Sequence, residues 1–575
     1  MAVYTNDLSL PALPVPNLAE TCELLKQNIK PLADTPVWEK TCAALERFLT
    51  GEGPALQKLL EQHRAALPLN SSWLKMIWDD MYLSYRGSLP QGMNYSFEFN
   101  MENWSLAALI AGLCGTIDDI RRGQLAPEPT KTGFLSMDAL QHMIYTRIPG
   151  RTRDILYNPP LDAPFSVAVA CRGHWFVMTM IDEKGTLLSP AAVQDTLDQI
   201  RKLAGAAGIA PCLGAITAGG REEAATVRSE IQENSINRMN LESIEKTLFA
   251  VCLDDGEASG EGFAHTLLGG EPAGRWFDKS LQIIASKEGR VGVNIEHSGC
   301  DAAIWIYTIN DAYEKSLAGK LPAGKGAPHI RRLEWKLGAE TEKRLRDMGE
   351  SFKQMMGGIS VRQRKISAAS REAIKAKKCS PDAFAQLLFQ AAYYKKTKRA
   401  CSVYEAVSTR NFYQGRTECV RPVTQESADF VKAFCEGAAG KEELSGLFRA
   451  AEKAHAAGIN IRQQGLGPER HMAGLREMYN IYAGTAKGVA KPALFDDEGF
   501  AALRYDKIST SSSTAPYLDY FGFPPVVPDG LGVGYGLKAD ALYLTVSSYG
   551  KSDVSADAYL DNIEEAALRL LEILS

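Results

Sequence analysis

The chain has 575 residues, 45% of them hydrophobic and 23% charged, with a formal net charge of −5. That is globular material for roughly two to four domains and a deep cleft between them. It lacks the basic excess of a nucleic-acid binder, and no apolar run approaches the roughly 20 residues that span a bilayer.

The 11 cysteines include no CxxC pair, and Cys42, Cys114, Cys171 and Cys252 sit in apolar stretches, so they read as reduced thiols packed as small hydrophobes. The start, MAVYTNDLSLPALPVP, lacks the basic and apolar regions of a secretory signal, and the end, LEILS, is not a peroxisomal address. The expectation is a cytoplasmic enzyme.

Residues 9–16 are Pro-rich and extended. Residues 17–67 carry several helices at 3.6-residue spacing, with Asn17 and Thr35 as expected N-caps. SWLKMIWDDMYLSYR predicts an aromatic-rich helix. FSVAVACRGHWFVMTMI, residues 165–181, predicts a hairpin turning at Arg172-Gly173. Helices are predicted near 190–204 and 223–247, with a strand at PCLGAIT between them. FAVCLDD reads as a buried strand, and RWFDKSLQIIASKEGRVGVNIEHS as two strands around a Lys-Glu-Gly turn. Residues 314–330, rich in Gly, Pro and Lys, read as a connection between two halves. A helical region is predicted from about 338 to 401. LGVGYGLKADALYLTVSSYG alternates like paired strands, and SADAYLDNIEEAALRLLEIL closes the chain as a helix. With no GxGxxG, no P-loop and no fixed repeat, the pattern predicts an α/β sandwich rather than a dinucleotide or NTP fold.

One histidine of eight stands out. In VGVNIEHSGCDAAIW, residues 291–305, His297 ends a buried strand, small residues follow it, and Asp301 lies four residues on. An isolated histidine is most often a satisfied core residue. Here the strand end suits a cleft wall, and HxxxD suits a general base whose surroundings a carboxylate holds. No second histidine or cysteine pair stands at metal-ligand spacing, so no metal is expected. No G-x-S-x-G elbow is present.

Taken with other segments, this stretch is similar to the choline/carnitine O-acyltransferase family. LPALPVPNLAETCELLKQNIKPL resembles the family's opening signature, and GRWFDKSLQIIASKEGRVGVNIEHSGCD its catalytic segment. SPDAFAQLLFQAAYYKKTKRACSVYEAVSTRNFYQGRTECVRP and KISTSSS…VVPDGLGVGY resemble its later blocks, in family order. The resemblance implies two chloramphenicol-acetyltransferase-like α/β domains, residues 1–335 and 336–575, with a tunnel between them. It implies reversible acyl transfer between coenzyme A, a co-substrate, and a hydroxylated quaternary ammonium compound. No separate cofactor, nucleic acid or membrane span is implied, and the expected state is a monomer.

By the same resemblance His297 is the general base, and Ser511, in the run Ser509-Thr510-Ser511, donates to the oxyanion. By composition alone that run reads as a polar turn. Asp301 orients the imidazole or holds nearby backbone. Arg470, with Tyr404, Thr417 and Ser509, matches the carboxylate contacts of carnitine enzymes, where choline enzymes have Asn at the Arg470 position. Ala406 stands where those enzymes often have Ser. The basic run 362–382 reads as a solvated helix face by charge alone. By family position Arg371 and Lys375 face coenzyme A phosphate and Asp382 its adenine end, while Ala456 and Ser512 replace an Arg and a Gln common there. Phe521 falls where a bulky residue restricts the acyl pocket. The expected enzyme transfers acetyl and other short acyl groups to carnitine; the alternatives are a choline acyltransferase and a noncatalytic acyl-CoA-binding protein.

Overall fold

Apolar runs assemble into two mixed sheets in the computed structural model, which describes residues 5–160, 163–255, 262–326, 328–437 and 439–574. The first has eight strands among the described residues, in the order 518–522, 95–99, 291–295, 281–285, 250–253, 166–171, 174–179, 330–332. The strands Leu281–Ala285 and Val291–Ile295 are buried at every position. Helices cover both of their faces, which is why they read as continuous apolar runs rather than alternating ones. Leu106–Arg121, Pro190–Gly205 and Ala302–Leu317 pack on one face. Arg221–Gln232, Ser235–Glu245 and Ala339–Gly357 pack on the other.

The second sheet has six strands among the described residues, in the order 359–366, 542–549, 531–537, 508–512, 403–408, 417–420. Strand Ile508–Ser512 runs parallel to both of its neighbours. The helices Pro381–Thr397, Gln425–Glu436, Lys441–Gln463 and Ala556–Ile573 bury their apolar stripes against this sheet. A helical layer, Leu18–Ile29, Thr35–Thr50, Gly53–Ala66 and Leu74–Leu83, packs on Pro468–Tyr482 and Glu498–Arg504.

Two features cross the expected division at 335/336. Strand Leu518–Gly522 leaves the second half and pairs antiparallel with Tyr95–Phe99 at the edge of the first sheet, Phe97 opposite Phe521. The N-terminal helical layer, in turn, leans on late helices.

The 165–181 hairpin, the strand pairs at 281–295 and 531–549 and the closing helix form as the pattern predicts. Asn17 caps its helix, its side chain accepting from the N–H groups of Ala19 and Glu20. The second cap is Asp34, not Thr35, with Pro36 in the first turn behind it. PCLGAIT forms a short 3-10 helix, Leu213–Thr217, instead of a strand. Within the expected helical region, Ile359–Ile366 is a sheet-edge strand. The expected connection at 314–330 begins inside the helix Ala302–Leu317; its Ala327 lies outside the described residues.

Candidate active site

Strand Val291–Ile295 delivers His297 to the wall of a cavity of about 380 Å³. Both halves line it: Tyr82, Tyr95, His297 and Asp301 from the first, Tyr404, Thr417, Ser509, Ser511 and Phe521 from the second.

The imidazole stands between two tyrosine rings, edge-on to Tyr95 at 5.0 Å and to Tyr82 at 5.5 Å between centroids. Its Nδ1 lies 3.2 Å from the carbonyl of Cys300. A carbonyl can only accept, so Nδ1 carries the proton and Nε2 keeps its lone pair. Burial lowers the pKa of His297 below its ordinary value, against the pull of Asp301. The tautomer left is that of a base.

Asp301 is 3.9 Å from Nδ1, beyond hydrogen-bond reach. Its carboxylate instead takes two bonds from Arg416, at 3.0 and 3.1 Å. Burial would raise its pKa, but Arg416 holds it below the usual carboxylate range. Arg416 also donates to the carbonyls of Ser298 (2.6 Å) and His297 (3.0 Å). Asp301 thus reaches the backbone around His297 only through Arg416. Arg416 stands beside Thr417, but no motif or spacing in the sequence marks it.

Strand alternation explains the second wall. Tyr404 pairs with Ser509 across parallel strands, and Ser511 with Gly534. Tyr404, Ala406 and Ser408 therefore share the cavity face, as do Ser509 and Ser511. Thr510 and Glu405 point the other way, and Thr510 donates to the carbonyl of Tyr404 at 2.8 Å. Arg470 does not itself line the cavity. Its guanidinium donates to the hydroxyl of Tyr404 (3.1 Å) and the carbonyl of Thr417 (3.2 Å), and it stacks on Trp78. Arg416 also lies over Trp78, so one indole serves two guanidiniums.

Phe521 also lines the cavity, packed against Tyr95, Phe97 and Phe523 at 5.4–5.9 Å between centroids. The hydroxyl of Tyr95 is buried with no hydrogen-bond partner among the described residues.

The basic run divides. Arg362 and Arg364 pair with acids of the closing helix, and Lys365 with Asp540. Arg371 and Lys375 are exposed on the short helix Arg371–Ala376 and make no ion pair among the described residues. They lie outside the cavity, but Arg371 donates its N–H to the carbonyl of Lys538, just past the strand that pairs with Ser511 and Ser512. Asp382 accepts from the hydroxyl of Tyr535 at 2.6 Å, the residue opposite Ser512. Asp382, Glu405 and His455 bring possible metal-ligand atoms within 4.8 Å of one another, but Glu405 is already bonded to His455 at 2.8 Å. Burial pushes the Glu405 carboxyl up to about 7.

The family model described as choline/carnitine O-acyltransferase matches residues 13–565. The chain belongs to that family. Carnitine O-palmitoyltransferase 2 of Xenopus tropicalis is 28% identical, covering 95% of this chain and 89% of that protein. Choline O-acetyltransferase of Gallus gallus is also 28% identical, covering 98% and 92%. Among solved structures, the first condensation domain of the calcium-dependent antibiotic synthetase aligns with a TM-score of 0.38 at 10% identity, over 87% of this chain and 94% of that one. As a choline/carnitine acyltransferase, the protein moves acyl groups between coenzyme A and a hydroxyl acceptor. All 11 cysteines are free, and no described helix is long and apolar enough to cross a membrane.

Proposed function

We propose that the enzyme transfers short acyl groups, acetyl foremost, reversibly between coenzyme A and the hydroxyl of carnitine. The observation that carries this is the convergence in one cavity of a base-form imidazole, a serine wall and an arginine-backed tyrosine–threonine pair.

His297 Nε2 takes the proton of the acceptor hydroxyl as its oxygen attacks the thioester carbonyl. The oxyanion that forms meets the hydroxyl of Ser511. As the C–S bond breaks, the imidazolium returns the proton to the leaving thiolate, so no acyl-enzyme is required. Tyr404, Thr417 and Ser509 hold the acceptor carboxylate, with the Arg470 charge behind them. Ala406 offers no hydrogen bond of its own. Arg371 and Lys375 take coenzyme A phosphate, and Asp382 its adenine end. The Phe521 ring limits the acyl chain.

Choline is the second reading, favoured by the equal identity to choline O-acetyltransferase. Thiol release with acetyl to octanoyl donors and both acceptors separates the two. Acetyl transfer to carnitine is expected, with Arg470→Asn raising the carnitine KM roughly 10- to 100-fold. Turnover of choline alone, or an Arg470→Asn enzyme with an unchanged carnitine KM, would overturn the acceptor. Coenzyme A binding without any turnover would favour the noncatalytic reading.

A further inference from the structure

Behind His297, on the side away from the cavity, lies a network of charges. Arg147 is fully buried and uses all three guanidinium nitrogens. Its Nε donates to Asp154 at 2.7 Å. One terminal nitrogen donates to Glu296 (3.0 Å) and to the hydroxyl of Ser298 (2.7 Å). The other donates to the carbonyl of Tyr82 at 2.8 Å. Glu296 also accepts from the hydroxyl of Tyr145 and from the N–H of Ser298, at 3.0 Å for the latter. The Tyr145 hydroxyl in turn accepts from the N–H of Gly299. Asp154 is shared with Arg221 and Arg86, and Arg221 reaches Asp278. Three arginines thus face three carboxylates, and the cluster is neutral.

A neutral cluster can be buried, but burial of this kind rarely adds stability over apolar side chains of the same volume. What it does supply is fixed geometry. Glu296 and Ser298 are the two chain neighbours of His297, and Tyr82 presents the ring edge against its imidazole. One guanidinium therefore ties both flanks of the histidine to the backbone of its aromatic neighbour.

We propose that Arg147 is a positioning residue for the transfer, fixing through Glu296, Ser298 and Tyr82 the angle at which His297 Nε2 faces the cavity. The proposal rests on His297 being the base. Arg416 holds the carbonyls of His297 and Ser298 from the cavity side, so the turn is clamped from two directions.

Ser298→Ala removes the hydroxyl's bonds from Arg147 and to Glu296 and leaves every charge in place; Glu296→Gln removes a charge at nearly constant shape. Both are measured for kcat and KM with acetyl-CoA and acceptor, for melting temperature, and for the His297 imidazole resonances in protein carrying ring-labelled histidine, assigned with His297→Gln. The expected result for Ser298→Ala is a kcat about 10- to 100-fold lower. KM for both substrates should stay within about twofold, with the His297 ring resonances displaced. Glu296→Gln should do the same where it folds. A folded Ser298→Ala enzyme with wild-type kcat and wild-type His297 resonances would overturn the proposal. So would a loss that appears only in melting temperature or only in KM. If the wild type transfers no acyl group to any acceptor, the functional reading fails, while the His297 resonances of Ser298→Ala still decide the clamp.

Discussion

At the scale of single residues, the proposed mechanism turns on the protonation state of His297. Burial lowers its pKa, Asp301 raises it and Arg416 lowers it again, and the net shift is downward. A base must be unprotonated, so transfer to the acceptor should hold through neutral pH. It should fall only below the ordinary histidine value of about 6.5. A pH profile of kcat/KM checks this; an acid limb centred above that value would contradict a buried, neutral imidazole. Ser511 makes a separable contribution. It shares the cavity wall with Ser509, two residues along the same strand face, and in the proposed mechanism it meets only the oxyanion. Ser511→Ala should therefore lower kcat about 10²- to 10³-fold with KM little changed. A change confined to KM would assign Ser511 to substrate binding instead.

At the scale of elements, LGVGYGL shows how a strand makes room for a site. Leu531, Val533 and Tyr535 are buried on one side in the core of the second sheet. The alternating glycines lie on the other, where the Phe521–Phe523 segment crosses. A Cβ on Gly534 would stand 1.9 Å from the carbonyl oxygen of Phe521, and one on Gly532 2.7 Å from that of Phe523. Gly534→Ala should displace Phe521 and cost about 1–3 kcal/mol; on the proposed reading, in which Phe521 limits the acyl chain, it should also raise octanoyl turnover relative to acetyl. Thermal melts and the donor series measure both effects. The alternation of this strand was legible in the sequence; what its glycines make room for was not, because Phe521 is brought in by pairing with Tyr95–Phe99, a strand the sequence reading did not pick out. Ile359–Ile366 hides its strand character for a related reason. Its charged residues Arg362, Arg364 and Lys365 read as a solvated helix face, whereas they meet acids of the closing helix and a turn across an edge strand. His297, Tyr404, Thr417, Ser509, Ser511 and Phe521 could be picked out by resemblance, and they do share one cavity. Arg147, Glu296 and Arg416 could not be picked out, since their partners are distant in the chain and an arginine's pairing leaves no periodic signal.

At the scale of the whole molecule, the N-terminal helices have to be carried to the far end of the chain, because Trp78 supports Arg470. His471, the next residue, makes that junction. It is fully buried, and its Nδ1 lies 2.7 Å from the Thr21 hydroxyl and its Nε2 2.8 Å from Gln57 Oε1. The amide oxygen can only accept, so Nε2 carries the proton, Nδ1 accepts from Thr21, and the ring is neutral. Burial pushes its pKa down to about 4. Unfolding releases it to the ordinary value of about 6.5. Between those two values the unfolded chain binds a proton that the folded chain does not, so stability must rise with pH across this window and fall as acid is added. The contribution is nearly absent at pH 7 and grows to about 2 kcal/mol by pH 5. His471→Gln removes the titrating group while leaving a side chain able to hydrogen-bond, and the other buried histidines act equally in both proteins. Urea titrations at pH 7 and pH 5 should therefore show the wild type losing about 2 kcal/mol more than His471→Gln. Parallel losses in the two proteins would place the proton somewhere other than the junction beneath Arg470.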